Sequence, residues 1–177
     1  MATSHRLEWA DAIDRFTAAT GRAAAWLCLL IVVLQFALVV ARYLLGLGSI
    51  WLTETVLYAH GALFLLAAAW TLQLGGHVRV DVFYADLPAR TKAKIDLAGA
   101  LLLLLPFMAV LAWFGWGFVM RSWIILERSQ ESSGLPFVYL FKTLILLFAF
   151  LMALQGVSQA LRATASLRVK SRRRHAR

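Results

Sequence analysis

Acidic side chains are scarce in this chain: nine Asp and Glu stand among 177 residues, against eighteen Lys and Arg. Charge of either sign makes up only 15% of the sequence, while 62% is hydrophobic. A soluble domain of this length needs more charge and less apolar mass, so that class is excluded. The single cysteine, Cys28, rules out an internal disulfide and any paired-cysteine metal site, and leaves the redox compartment undetermined. No HExxH, GxSxG or phosphate-loop pattern is present, and no internal repeat is apparent. The sequence therefore gives no ground for an enzyme, a cofactor or a metal. What remains is an apolar chain with few charges, and the placement of those charges carries the information.

Four stretches are long enough to cross about 30 Å of hydrocarbon as helices of about 20 residues. The first spans about residues 23–44, and as far as Ala41 its only strongly polar side chain is Gln35. The second spans about 51–74 and contains Glu54 and His60. The third, about 97–120, is uncharged and includes Pro106, which predicts a kink where the proline removes a backbone donor. The fourth spans about 135–161 and carries Lys142 near its start. Ahead of the first, residues 5–20 place Trp9, Ile13 and Phe16 at i, i+4 and i+7. That spacing predicts a short amphipathic helix, lying on the bilayer surface or leading into the first span. The N-terminus lacks the layout of a cleavable signal peptide. The expected fold is an all-α integral membrane protein of four transmembrane helices.

Orientation follows from the cations outside the spans. The N-terminal segment, the 75–96 connection and the 162–177 tail together hold fourteen Lys and Arg, and the opposite side holds Arg42, Arg121, Arg128 and Lys142. This places both termini and residues 75–96 in the cytoplasm and turns the 121–134 connection outward. The basic tail would suggest nucleic acid on a soluble chain. On this one it faces anionic lipid headgroups, and no nucleic-acid partner is expected.

Ionisable groups within spans are costly, so they pair or serve a function. Glu54, Lys142 and Arg42 fall at similar depth, which predicts a Glu54–Lys142 or Glu54–Arg42 pair stapling the bundle. An ion or substrate role for Glu54, or a pair made to another protein, is open as well. His60 lies near the midplane, but His5, His77 and His175 lie outside the spans, so bis-histidine haem finds no second ligand. His60 reads instead as a hydrogen-bond partner between helices. Glu54, Tyr58, Gly61, Leu65 and Ala68 share one face of the second span, and Gln155, Ser158 and Gln159 form a polar cluster in the fourth. Both features suit packing against protein rather than lipid. Trp51, Trp113, Trp116 and Trp123 gather toward the outer ends as an interfacial belt.

Residues 53–97 supply the specific signal. Glu54 stands near the start of the second span, which ends in Gly76-His77-Val78-Arg79-Val80-Asp81, followed by Leu87-Pro88 and the basic Arg90, Lys92 and Lys94. This order resembles the small membrane subunit of tripartite ATP-independent periplasmic (TRAP) transporters, the DctQ family. One departure is Thr55, where a second acidic residue often follows the first. The resemblance implies a multi-pass protein of a bacterial inner membrane within a sodium-driven uptake system for organic acids. Its implied partners are a large multi-helix transport subunit, which this chain braces, and a periplasmic solute-binding protein. Residues 75–96 then form a cytoplasmic elbow, with Arg79 and Asp81 either paired locally or meeting the large subunit, and His77 beside them. Glu54, Lys142, Arg42, His77, Arg79 and Asp81 are the candidate structural or subunit-contact residues. Two other classes stay open: a self-sufficient homodimeric transporter using Glu54, and a membrane anchor of a redox enzyme.

Overall fold

The computed structural model describes residues 2–77 and 84–175. It is all-helical: α1 (Ala2–Leu45), α2 (Ile50–Gln73), α3 (Ala89–Ala98), a π-helical segment (Gly99–Leu104), α4 (Leu105–Ile124) and α5 (Val138–His175). There is no strand among the described residues. Four helical stretches are long and apolar enough to cross a membrane: Leu7–Leu45, Ile50–Gln73, Ala89–Ile124 and Val138–Leu167. The helices run up and down, so one end of the bundle gathers both termini and the elbow. The other gathers the 46–49 turn and the 125–137 connection. These are called here the termini end and the loop end.

Local chemistry sets the boundaries. Ser49 caps α2, its hydroxyl accepting from Leu52 N at 3.3 Å. At the other end Gly75 adopts φ +70°, and Gly75 N and Gly76 N donate back to Leu72 O and Thr71 O. That double bond is a Schellman closure, and it needs the left-handed conformation that glycine adopts without a Cβ clash. Pro106 is the second residue of α4, directly after the π-helical segment. The turn before it is widened, with Leu105 N bonding to Ala100 O five residues back. A wide turn makes room for a proline ring that would otherwise strike the carbonyl four residues earlier.

At the N-terminus the boundaries differ from the sequence reading, while the segment leads into the first span as one of its two readings has it. No break separates the 5–20 segment from the first span; α1 is one helix through residue 45. Trp9 and Phe16 are exposed. The inward seam is Ala10, Asp14, Thr17, Gly21 and Ala24, alternating four and three residues apart. Small side chains let helices approach closely in lipid, where apolar surface has no reason to hide. At Gly21 an added Cβ would lie 2.4 Å from the Cβ of Trp70, so the α1 backbone lies directly against the Trp70 side chain of α2. The fourth span also differs: α5 begins at Val138, just past Pro136, and continues as helix through the basic tail to His175. The third begins earlier, because α3 is already helical from Ala89.

Helix α5 packs against every other element, with the α1–α2 pair on one side and the α3–α4 arm on the other. The apolar core between α2, α4 and α5 is small: Ala69, Met108, Ala149, Leu151 and Met152. The largest fully buried side chains are Gln155, Val119, Thr17, Ser122 and Ser158, four of them polar, while Trp26, Phe36, Trp113 and Phe114 are exposed. Such an inverted distribution fits a chain whose solvent is hydrocarbon.

Candidate functional site: two polar clasps at opposite ends

At the loop end, the carboxylate of Glu54 enters the 125–137 connection and organises it. Ser129 Oγ donates to Glu54 Oε1, and the backbone N–H of Leu135 donates to Glu54 Oε2 at 2.5 Å. Ser129 N in turn donates to Leu135 O, Gly134 N to Glu131 O and Glu131 N to Ser129 Oγ. The result is a closed seven-residue turn stitched around a side chain from α2. Gly134 is part of the fit, since a Cβ there would lie 2.8 Å from Glu54 Oε1 and closer still to Ser129. With donors on both oxygens, the charge is held by hydroxyl and amide rather than by a cation.

The expected pairing of Glu54 with Lys142 or Arg42 is therefore not what forms. Lys142 instead donates to Glu127, and its ammonium lies 4.1 Å from the centroid of the Phe118 ring. Arg42 is exposed at the end of α1. The cause is geometric: the connection folds back over the helix ends, and its own donors and Glu127 reach the two charges first. The Lys142 ammonium holds the Glu127 carboxyl below its ordinary 4.5. Aromatic contacts support the clasp. Phe141 stacks on Tyr58 at 4.5 Å and sets the edge of its ring against Gly61, where a Cβ would fall 2.5 Å from it. Trp123 donates through Nε1 to Thr143 Oγ1 at 2.9 Å, which adds a specific bond to the expected belt role.

At the termini end, Asp14 of α1 meets α5. It accepts from Ser158 Oγ at 2.6 Å, Gln155 Nε2 at 3.1 Å and Arg162 Nε at 2.9 Å. Arg162 also reaches Asp11 at 2.6 Å. Thr17 Oγ1 donates to Gln155 Oε1 at 2.8 Å, and Gln159 Nε2 donates to Leu72 O at 3.3 Å. First and last helices are thus joined by a network whose inner members are fully buried. Arg162, counted above with the lipid-facing tail, is committed to two carboxylates. The sequence reading singled out Gln155, Ser158 and Gln159 but missed Asp11, Asp14 and Thr17. The available signal was the four-three alternation of small and polar residues in α1, hidden behind the aromatic stripe.

The remaining candidates divide. His77 is exposed at the end of α2, beside an open apolar groove lined by Leu72, Tyr84, Ile95, Leu103 and Met152 among others. Arg79 and Asp81 lie outside the described residues. His60 is exposed, its ring against Phe64 one turn along the same helix, and it does not bridge two helices. No group of three metal-ligating side chains occurs among the described residues.

Two comparisons with known proteins return no match, neither a curated protein nor a solved structure. A third returns one: the family model described as "Tripartite ATP-independent periplasmic transporters, DctQ component" matches residues 31–166. The matched stretch contains α2, the elbow, α3, α4 and the loop-end clasp whole, together with the α5 half of the termini-end network.

Proposed function

The chain belongs to the DctQ-component family of tripartite ATP-independent periplasmic transporters, and we propose that it is the small accessory membrane subunit of such a transporter, bracing the large subunit that moves the substrate. The reading extends to a bacterial inner membrane, with the termini end cytoplasmic and the loop end periplasmic. There the 125–137 connection lies on the side from which a solute-binding protein approaches. Sodium coupling and an organic-acid substrate are carried by the large subunit and the binding protein in this scheme, not by these helices.

One observation supports bracing over transport. Three charged groups within or at the edge of the spans are spent on holding the chain's own parts together: Glu54 on the connection, Lys142 on Glu127, and Asp14 on α5. A carrier site needs polar groups that exchange their partners for a ligand. Here the partners are backbone and neighbouring side chains. The homodimeric-transporter alternative needs Glu54 available to an ion, and both of its oxygens already accept hydrogen bonds.

The test is purification of the tagged chain from native membranes in mild detergent. Bracing predicts a stoichiometric large membrane protein in the same peak, and solute uptake into liposomes only when that protein and the binding protein are both present. Uptake by this chain alone, abolished by Glu54→Gln, would overturn the reading.

A further inference from the structure

Below the Asp14 network, α1, the end of α2 and α5 enclose an open niche lined by Asp11, Asp14, Arg15, Ala18, Arg22, Gln73 and Arg162. Its chemistry is uneven. Arg162 is paired with both Asp11 and Asp14, so those three form a wall with one carboxylate charge in excess, and the two further arginines of the lining leave the niche with one net positive charge. Arg15 and Arg22 are exposed, and among the described residues neither has an ion-pair partner. They stand seven residues apart on one face of α1, with Ala18 between them leaving a dip where a longer side chain would project. Gln73 faces them from α2. Its side-chain amide lines the niche and carries two N–H groups that can donate into it.

Depth supplies the second part of the case. From Arg22 to Leu45 the helix has 24 residues, about 35 Å at about 1.5 Å per residue, against about 30 Å of hydrocarbon. Arg22 therefore lies at the phosphate plane of the termini-end leaflet, and Arg15 about 10 Å beyond it. Two unspent guanidinium groups, an amide donor and a small-residue dip at headgroup level fit a tetrahedral phosphate, which arginine binds through paired N–H groups.

We propose that this niche binds the phosphate of an anionic phospholipid, with Arg15 and Arg22 as its charged contacts and Gln73 as a neutral donor. A free phosphate offers the same oxygens, but the depth of Arg22 favours a phosphate tethered to acyl chains. The site lies outside the apolar groove beside His77 and does not depend on the transporter reading or on which leaflet the termini face. Lipid held there would tie the N-terminal half of α1 to the membrane beside the point where it is clasped to α5.

The full chain, with whatever subunit accompanies it from the membrane, is titrated in detergent with phosphatidylglycerol, phosphatidylcholine or inorganic phosphate. Retained lipid is read by native mass spectrometry and the melting temperature by near-ultraviolet absorbance. Phosphatidylglycerol should be retained and should raise the melting temperature, and the other two should do neither. Arg15→Gln with Arg22→Gln should weaken retention roughly tenfold for each arginine removed. Ala18→Leu, which fills the dip without changing charge, should weaken it as well. Lys94→Gln, on the same end outside the niche, should leave it unchanged. Equal retention of phosphatidylcholine, or undiminished phosphatidylglycerol binding by the double variant at unchanged helicity, would overturn the proposal. A shift reproduced by inorganic phosphate alone would overturn the lipid assignment and make the niche a site for free anions.

Discussion

The two clasps use the same residue chemistry for different ends. At the loop end a half-buried carboxylate, Glu54, accepts from a serine hydroxyl and a backbone amide and thereby orders a connection. At the termini end Asp14 accepts from two side chains and an arginine of another helix and thereby fixes the crossing of α1 on α5. Losing the first should free a loop, whereas losing the second should free a helix. In lipid, where apolar burial contributes little between helices, such polar contacts take a larger share of what specifies the arrangement.

The largest effect should come from Asp14→Leu. It leaves the buried Gln155 amide without its acceptor, leaves Ser158 only the Ala10 carbonyl at 3.3 Å, and removes one of the two carboxylates from Arg162, for a cost of about 3 kcal/mol. Thermal unfolding followed by circular dichroism in detergent reads it directly. Asp11→Leu removes one contact between groups that are about half exposed, and should cost under about 1 kcal/mol. If the two substitutions cost the same, the network is a surface feature and the contrast between the ends fails.

Glu54→Leu comes next, at about 2 kcal/mol, because the Leu135 amide and the Ser129 hydroxyl lose their acceptor but lie near water. Glu54→Gln keeps one oxygen and should recover about half of that. The damage should be local: faster proteolysis within residues 125–137, with little change in the unfolding of α1. Global unfolding equal to that of Asp14→Leu would show that the connection is integral to the bundle rather than hung on it.

A smaller loss is expected at the aromatic contact shared by α2 and α5. Gly61→Ala puts a methyl carbon against the Phe141 ring. The ring is the far end of a flexible side chain and can tilt off Tyr58, so the cost should be about 1 kcal/mol. Near-ultraviolet dichroism should report the lost stack, and an unchanged spectrum would place Phe141 elsewhere.

How much of this could be read beforehand differs between the ends for a physical reason. Long uncharged runs dictate helices in hydrocarbon, so the four spans and their alternation were legible. Glu54 was legible too, since an acid near the start of a span stands out against its surroundings and belongs to the signature in residues 53–97. Its partners were not. Ser129 and the Leu135 amide belong to a turn without periodicity, and a backbone donor leaves no mark in a sequence. Asp14 was missed for a different reason: the aromatic stripe stands out in the sequence, while a buried seam of small and polar residues carries no hydrophobic signal. Trp9, Ile13 and Phe16 drew attention to the outer face, while Ala10, Thr17, Gly21 and Ala24 marked the inner one.

The smallest effect tests the loop end in a way the termini end cannot imitate. Glu127 sits in the connection, outside the spans, and the Lys142 ammonium lowers its pKa from 4.5. A carboxyl whose folded pKa is depressed stabilises the fold above its unfolded pKa, and that contribution fades as pH falls through the folded value. The Glu127–Lys142 contact should therefore be complete at neutral pH and release only in acid, below the ordinary carboxylate midpoint. Carbon-13 detection of the Glu127 carboxyl should show a midpoint below 4.5 in the native chain. It should return toward 4.5 in Lys142→Met, which keeps a long side chain against Phe118 but removes the charge. At neutral pH the Glu54 turn should hold in the Lys142 variant, because its donors are the Ser129 hydroxyl and the Leu135 amide and none of its contacts involves Lys142. If releasing Glu127 also frees Ser129 and Leu135, the loop end is one cooperative clasp rather than two independent contacts. Its difference from the termini end would then be one of position alone.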